Sequence, residues 1–109
     1  MISYFVKYDG RLANPAAFLQ HYKTNHAQIL SQFNGIQNLI LHTPVEWTDP
    51  FPVRKGQLSL VAQMTFNSVN SLNQDLASEA RRKAREDFDK FPEFDGQIVH
   101  QAMKAERVF

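Results

Sequence analysis

Apolar and polar residues alternate or recur along the chain in a pattern that predicts four strands and two long helices. From Leu58 to Phe66 every second residue is apolar, which indicates a strand with one buried face. Residues 2–8 are rich in β-branched and aromatic types and end at Asp9-Gly10, a turn signal, so they are predicted as the first strand. Further strands are predicted at 36–46, where Pro44 suits an edge position, and at 97–109.

The first predicted helix follows the first strand. It begins at Asn14-Pro15, an N-cap followed by proline at the first helical position. It extends to about Phe33 and ends at Asn34-Gly35, a dipeptide typical of a left-handed helix stop.

The second predicted helix is capped by Ser68 and extends to about Lys90, with a bend near Ala77-Ser78. Its buried stripe is predicted to comprise Val69, Leu72, Leu76, Ala80, Ala84 and Phe88. The order βαββαβ is the pattern of a ferredoxin-like α+β domain with a four-stranded antiparallel sheet. One such domain is predicted to cover residues 1–109.

The two helices cover one face of this sheet, yet its first two strands carry apolar residues on both faces. Tyr4 and Val6 alternate with Phe5, and Ile40 alternates with apolar neighbours. A second face with embedded phenylalanine and isoleucine is unfavourable in water, and pairing with a second copy would cover it. The sequence therefore predicts a homodimer with sheet packed against sheet.

One polar side chain lies within the apolar stripe of the first helix. At about 100° per residue, the stripe spans roughly 120°. It contains Phe18, Leu19, Tyr22, His26, Ile29, Leu30 and Phe33. His26 is either a core histidine with a satisfied hydrogen-bond partner, or it faces a cavity as a general base or a donor to a ligand. Tyr22, one turn earlier, would orient His26 or donate a second bond.

The other histidines do not predict a metal site together with His26. His21 lies about 140° from His26 around an α-helix, on the polar side that also holds Asn25, so the two cannot chelate one ion. His42 and His100 fall on the two outer strands, about 14 Å apart, and could approach only across a dimer. No metal and no cofactor are therefore expected.

Composition narrows the class of protein. The 109 residues carry a net charge of +1 and no long run of one sign, which gives no case for binding nucleic acid or an anionic membrane. No stretch approaches the ~18 apolar residues of a membrane span. Cysteine is absent, which excludes disulfides and cysteine nucleophiles and agrees with a cytoplasmic location.

A charged segment and a proline-rich loop lead to more general predictions. Residues 78–90 carry many charges, and the pairs at i,i+4 spacing are Glu79–Lys83, Arg82–Glu86 and Arg85–Asp89, typical of a solvated helix face. The proline-rich loop Trp47–Gly56 contains Phe51 as a second aromatic residue. Trp47 and Phe51 would either cover a pocket as a lid or pack on a partner subunit.

The stretch AFLQHYKTNHAQIL, followed by Phe33-Asn34-Gly35 and a strand, resembles the signature of the ethyl tert-butyl ether degradation (EthD) family. The later stretch DLASEARRKAREDFDKFPEFDG resembles the family's second helix, and a strand end near Glu106 is compatible. The resemblance implies a dimeric α/β barrel built from two ferredoxin-like subunits. It also implies that His26 matches the family's helix histidine and Tyr22 the aromatic position before it.

Relatives in that superfamily include muconolactone-type isomerases, polyketide cyclases and cofactor-free quinone-forming monooxygenases. The resemblance thus implies a pocket for a small hydrophobic molecule, aromatic or lactone-like. Two functions remain open: an enzyme in which His26 moves a proton while Tyr22 holds the substrate oxygen, and an accessory dimer that only binds the molecule. A dimer without any pocket is the third interpretation.

Overall fold

A computed structural model describes all 109 residues and contains one four-stranded sheet. Its strands are β1 (Ile2–Leu12), β2 (Asn38–His42), β3 (Leu60–Phe66) and β4 (Phe94–Lys104). The sheet order is β2-β3-β1-β4, and every neighbouring pair is antiparallel. The predicted ferredoxin-like α+β fold is confirmed. No helix of the chain has both the length and the apolar character needed to cross a bilayer.

The first helical region has three parts: α1 (Pro15–His21), a π-helical turn (Tyr22–His26) and α2 (Ala27–Leu30). The Asn14 side chain accepts a hydrogen bond from the Ala17 N–H, as the predicted cap requires. Within the π-helical turn the Ala27 N–H donates to the carbonyl of Tyr22, five residues earlier. This turn therefore holds one residue more than an α-helical turn does.

The second helical region is divided near Ala77-Ser78, as predicted. It consists of α3 (Val69–Leu76), α4 (Glu79–Asp87) and a short 3₁₀ turn (Phe88–Lys90). The side chains of Ser68 and Ser78 cap the two helices by accepting from backbone N–H groups. Of the predicted stripe, Leu72, Ala80 and Ala84 are buried, whereas Val69 is 52% exposed because it occupies the first position of α3.

The core lies between the helices and one face of the sheet, here called the inner face. The inner-face residues buried there are Tyr4, Val6, Tyr8, Leu60, Ala62 and Met64. The helices contribute Phe18, Tyr22, Leu30, Leu72, Ala80 and Ala84. No helix covers the opposite, outer face of the sheet, on which Ile40 and Val99 are each 45% exposed.

The predicted end of the first strand at Tyr8 and the predicted start of the fourth strand at Gln97 were wrong, because β1 extends to Leu12 and β4 begins at Phe94. β1 continues through Asp9-Gly10 because Gly10 pairs directly with Gly96 on β4. The two backbones approach so closely that a Cβ on Gly10 would collide with the carbonyl of Asp95, and Gly96 has φ +155°. The glycines thus permit close strand pairing instead of a chain reversal. β2 and β4 also end earlier than predicted, at His42 and Lys104.

The end of the first helical region also differs from the prediction. Its regular part stops at Leu30, and Gly35 does not adopt the left-handed conformation. The buried carboxylate of Asp75 instead accepts hydrogen bonds from the Asn34 and Gly35 N–H groups, at 3.0 and 2.8 Å. A Cβ at position 35 would collide with the Ser71 hydroxyl of α3, so any larger residue there requires the Ser71 side chain to move.

Candidate functional site

A cavity of about 520 Å³ lies within the subunit, between the inner face of the sheet and the helices. Its walls are mainly apolar, with contributions from Val6, Leu30, Phe33, Met64 and Ile98. The polar residues on the wall are Tyr4, Tyr8, Tyr22, His26, Arg81, Arg85, Asp89 and His100. An apolar hollow of this size with a few polar groups suits a small molecule. The interpretation of a subunit without a pocket was therefore wrong.

His26 lies on the cavity wall and is held from behind by Asp87. Its Nδ1 is 2.9 Å from Oδ2 of Asp87, a residue that does not line the cavity. The other ring nitrogen, Nε2, has no hydrogen-bond partner in the protein, yet it is not fully buried. The ring therefore presents Nε2 to the cavity.

Asp87 receives three donors although its side chain is only 2% exposed. Besides His26, it accepts from Nε2 of His21, at 3.0 Å, and from Nδ2 of Asn25, at 2.6 Å. A carboxylate surrounded by donors selects the Nδ1–H tautomer of His26, since only a donor at Nδ1 satisfies it. The lone pair of Nε2 is then available to a ligand.

The π-helical turn is what brings His21 to Asp87. In a continuous α-helix His21 and His26, five residues apart, would point about 140° away from each other. The additional residue of the turn places both rings on the same side, so the prediction that His21 and Asn25 lie on the opposite polar side was wrong. The hydroxyl of Thr24, within the π-helical turn, donates a hydrogen bond to the backbone carbonyl of Gln20 at 2.7 Å.

The charge states of the pair follow from burial and from their contact. Burial lowers the pKa of His26 more than the nearby Asp87 raises it, so the net shift is downward. Burial alone would raise the pKa of Asp87, but the hydrogen bonds from His26 and His21 outweigh it and the pKa is lowered. At neutral pH the arrangement is thus an ionised carboxylate behind a neutral imidazole, which can accept a proton.

Tyr22 packs against His26 on the cavity wall. The ring centroids are 4.8 Å apart at an interplanar angle of 72°, an edge-to-face contact, and Tyr22 is 1% exposed. Burial raises the pKa of Tyr22 well above its ordinary value, and the neighbouring Tyr8 raises it further. The phenol therefore stays protonated and is unsuited to act as a base, and its hydroxyl group also interacts with that of Tyr8.

A second histidine lines the cavity. His100 on β4 lies on the inner face, with Nδ1 2.6 Å from the hydroxyl of Tyr4 on β1. Burial, assisted by the positive charges of Arg81 and Arg85, lowers the pKa of His100. His42 lies on the other edge strand and the outer face, where it contacts Gln63, so the two histidines are separated within the subunit as predicted.

The charged run on α4 only partly matches the predicted solvated face. Arg82 pairs with Glu79 and Glu86, but the predicted Glu79–Lys83 and Arg85–Asp89 pairs do not form. Asp87 is buried, and Arg81 and Arg85 line the cavity without an acidic partner. Four charged residues of this run therefore belong to the candidate site: Arg81, Arg85 and Asp89 on the wall and Asp87 behind His26.

The aromatic residues of the proline-rich loop lie outside the site. Neither Trp47 nor Phe51 lines the cavity, and they are 47% and 74% exposed. Lys55 lies over the Trp47 ring, 4.9 Å from its centroid, and donates to the Trp47 carbonyl at 2.9 Å. The interpretation of these residues as a lid over their own subunit's cavity was wrong, and packing on a partner stays a prediction.

Known proteins resemble this chain in structure more than in sequence. No family model matches it, and no curated protein is significantly similar in sequence. An EthD family protein from Bacillus halodurans C-125 has a TM-score of 0.75 at 18% identity, covering 97% of this chain and 99% of its own.

Two oxygenases of the genus Streptomyces also match. A monooxygenase from the gene ActVA-Orf6 of Streptomyces coelicolor, in complex with nanaomycin D, has a TM-score of 0.71 at 12% identity and covers 99% of this chain and 89% of its own. SnoaB of Streptomyces nogalater, described as a cofactor-independent oxygenase, has a TM-score of 0.65 at 13% identity and covers 98% and 94%. The similarity predicted from the sequence is confirmed at the level of the fold: this chain has the same ferredoxin-like subunit fold as an EthD family protein.

Proposed function

We propose that the cavity binds a small hydrophobic molecule, aromatic or lactone-like, and that His26 removes or relays a proton from its acidic C–H or O–H group. The observation that carries the proposal is the His26 ring, fixed at Nδ1 by Asp87 and free at Nε2 on an apolar wall. The reaction classes that fit are cofactor-independent oxygenation, isomerisation and cyclisation. Each begins with a carbanion or phenolate that a neutral imidazole can generate.

Tyr22 is the second residue of the proposed mechanism. Its protonated hydroxyl group would donate a hydrogen bond to the oxygen of the bound molecule and stabilise the charge that develops when His26 takes the proton. The apolar walls would exclude water from that step. General base catalysis of this kind contributes about 10²–10⁴-fold to a rate.

The described activities of similar structures support this class of reaction. SnoaB is a cofactor-independent oxygenase, and the Streptomyces coelicolor monooxygenase holds nanaomycin D. These proteins share the fold with this chain at 12–13% identity, so the nature of the ligand rests on the cavity itself. The cytoplasmic location stays a prediction.

The working form proposed for the protein is a homodimer with the two outer sheet faces packed together. The outer face exposes Ile40, Val99 and Met103, each by 45–48%. The radius of gyration, 15.1 Å, exceeds the roughly 13 Å of a compact domain of this length. The excess is consistent with the exposed loop after β2, whose apolar residues would find cover on a second copy.

The enzyme and the accessory binding protein give different results in one experiment. Wild type and His26→Gln are incubated with polycyclic phenols and unsaturated lactones, while oxygen uptake, absorbance and thermal stability are recorded. The proposal expects turnover of at least one compound by wild type and a loss of about 100-fold or more in His26→Gln. Lys83→Gln, which is exposed on α4 and lies outside both the cavity and the outer face of the sheet, is the control and should retain the wild-type rate.

Two outcomes would contradict the proposed reaction. Equal turnover by wild type and His26→Gln would remove the histidine from the chemistry. A rise in melting temperature with ligand, without turnover by wild type, would favour the accessory binding protein instead.

A further inference from the structure

Two arginines on one wall of the cavity have no acidic partner. Arg81 and Arg85 are one turn apart on α4, and both side chains line the cavity. Neither guanidinium takes part in a hydrogen bond or an ion pair, whereas Arg82 between them pairs with both Glu79 and Glu86. Arg82 is thus paired with two carboxylates, whereas the two arginines at the cavity, of which Arg81 is half-buried and Arg85 exposed, have no acidic partner.

The charge balance of the wall favours an anion. Arg81 and Arg85 contribute two positive charges and Asp89 one negative charge, so the charged residues of the wall sum to +1. Asp89 lies within ion-pair distance of neither arginine. The remaining wall is apolar apart from neutral tyrosines and histidines, which contribute no counter-charge. A negative group on the ligand would therefore meet two unpaired cations at this wall, whereas a neutral ligand would leave them without a counter-charge.

From this arrangement we infer that the ligand is an aromatic or lactone-like carboxylic acid, whose carboxylate binds Arg81 and Arg85 while its apolar body fills the cavity. Guanidinium groups bind carboxylates through parallel, charge-assisted hydrogen bonds, which fix orientation as well as affinity. His100 lies near both arginines and adds a further polar group at this end of the cavity. The inference rests on the proposed function only in taking the cavity as the ligand site, because it requires no proton transfer.

The test compares acids with their uncharged amides, which have nearly the same shape. Binding of 1-naphthoate and 1-naphthamide, and of 2-naphthylacetate and its amide, is measured by isothermal titration calorimetry at low and high salt. Wild type should bind at least one acid about tenfold or more tightly than its amide, and the preference should shrink at high salt. In Arg81→Gln/Arg85→Gln the acid should lose this advantage while the amide binds as before.

Lys83→Gln is the matched control, since Lys83 carries the same charge on the same helix but does not line the cavity. It should keep the wild-type preference for the acid. The inference is wrong if no acid binds more tightly than its amide to wild type, or if Lys83→Gln loses the preference as fully as the double variant does. His26→Gln should retain the preference whether or not His26 is catalytic, so the two proposals fail separately.

Discussion

At the scale of single residues, Asp87 determines which nitrogen of His26 carries the proton. Its carboxylate can only accept hydrogen bonds, and it lies 2.9 Å from Nδ1 of His26. The proton is therefore held at Nδ1, and Nε2 keeps a lone pair on the cavity side. Asp87 does not line the cavity, so it acts as a positioning residue through His26.

Asp87→Asn should reverse this tautomer. An amide side chain can donate to Nδ1, which moves the imidazole proton to Nε2 and removes the lone pair from the cavity. Nitrogen-15 NMR of the imidazole rings should show the Nδ1–H form for His26 in wild type and the Nε2–H form in Asp87→Asn. Any activity found should fall by about 10²-fold or more, in line with the large effect of a wrong tautomer in catalytic triads.

Asp89→Asn provides the control for that experiment. Asp89 lines the cavity two residues further along but makes no hydrogen bond to His26. Its substitution should leave the His26 tautomer as in wild type. An unchanged tautomer in Asp87→Asn would contradict the assigned role of Asp87.

The lowered pKa of His26 predicts a pH dependence of stability. The folded chain binds a proton at His26 less readily than the unfolded chain, whose histidine titrates near 6.5. The contribution of this residue is complete above that pH and is lost as the pH falls below it, with a slope of at most about 1.4 kcal/mol per pH unit. The lowered pKa of Asp87 acts in the same direction below its unfolded value of 3.8.

Urea unfolding between pH 7.5 and 5 measures this effect. The free energy of unfolding should decrease toward pH 5 in wild type, and the decrease should be smaller in His26→Gln, which has no titrating group at this position. Parallel curves for the two proteins would show that burial of His26 does not disfavour its charged form.

Some residues of the candidate site could be predicted from the sequence and others could not, for physical reasons. His26 and Tyr22 stood out because they occupy an apolar stripe, and both line the cavity. Asp87 was hidden within a charged run, although its spacing from the buried Ala80 and Ala84 follows the helical period and was the available signal. His100 required the pairing of two distant strands, which no local pattern specifies.

At the scale of elements, the π-helical turn decides the relation between His21 and His26. Periodicity at 3.6 residues per turn locates a helix but carries no sign of an additional residue within it. The fold order and the break at Ala77-Ser78 were predictable, since they follow from residue type at caps. The extension of β1 past Gly10 was not, because that glycine serves a close contact with a strand far along the chain.

Deleting Lys23 should convert the π-helical turn to regular α-helix. Lys23 is exposed within the turn, and the residues on either side would keep their present faces, with His21 and His26 then four residues apart. The variant should fold with a melting temperature within a few degrees of wild type or higher, measured by circular dichroism.

Deleting Gln28 is the matched control for that variant. Gln28 is equally exposed but lies in the regular helix α2. Its removal rotates the residues that follow it by about 100° relative to those before it. The buried Leu30 and Phe33 then point away from the core. This variant should unfold or lose most of its stability. Equal tolerance of both deletions would contradict the assigned register.

At the scale of the whole molecule, the helices and the cavity occupy one side of the sheet and leave the other uncovered. The residues that line the cavity of the single subunit lie on the inner face of the sheet and on the helices. In the proposed dimer, pairing of the outer faces would cover the exposed Ile40, Val99 and Met103 with the sheet of a second copy. The sequence predicted such a dimer, because the first two strands carry apolar residues on both faces.

Val99→Glu should separate the proposed dimer without unfolding the subunit. Val99 is 45% exposed and pairs directly with Lys7, so a glutamate there is opposite a positive charge in the isolated subunit. In the dimer, two carboxylates would be buried across the interface, which should raise the dimer dissociation constant by about 100-fold or more. Val69→Glu, on α3 and 52% exposed, should leave the dimer intact. Sedimentation equilibrium at micromolar concentration distinguishes the outcomes, and a wild-type monomer under these conditions would contradict the sheet-to-sheet dimer.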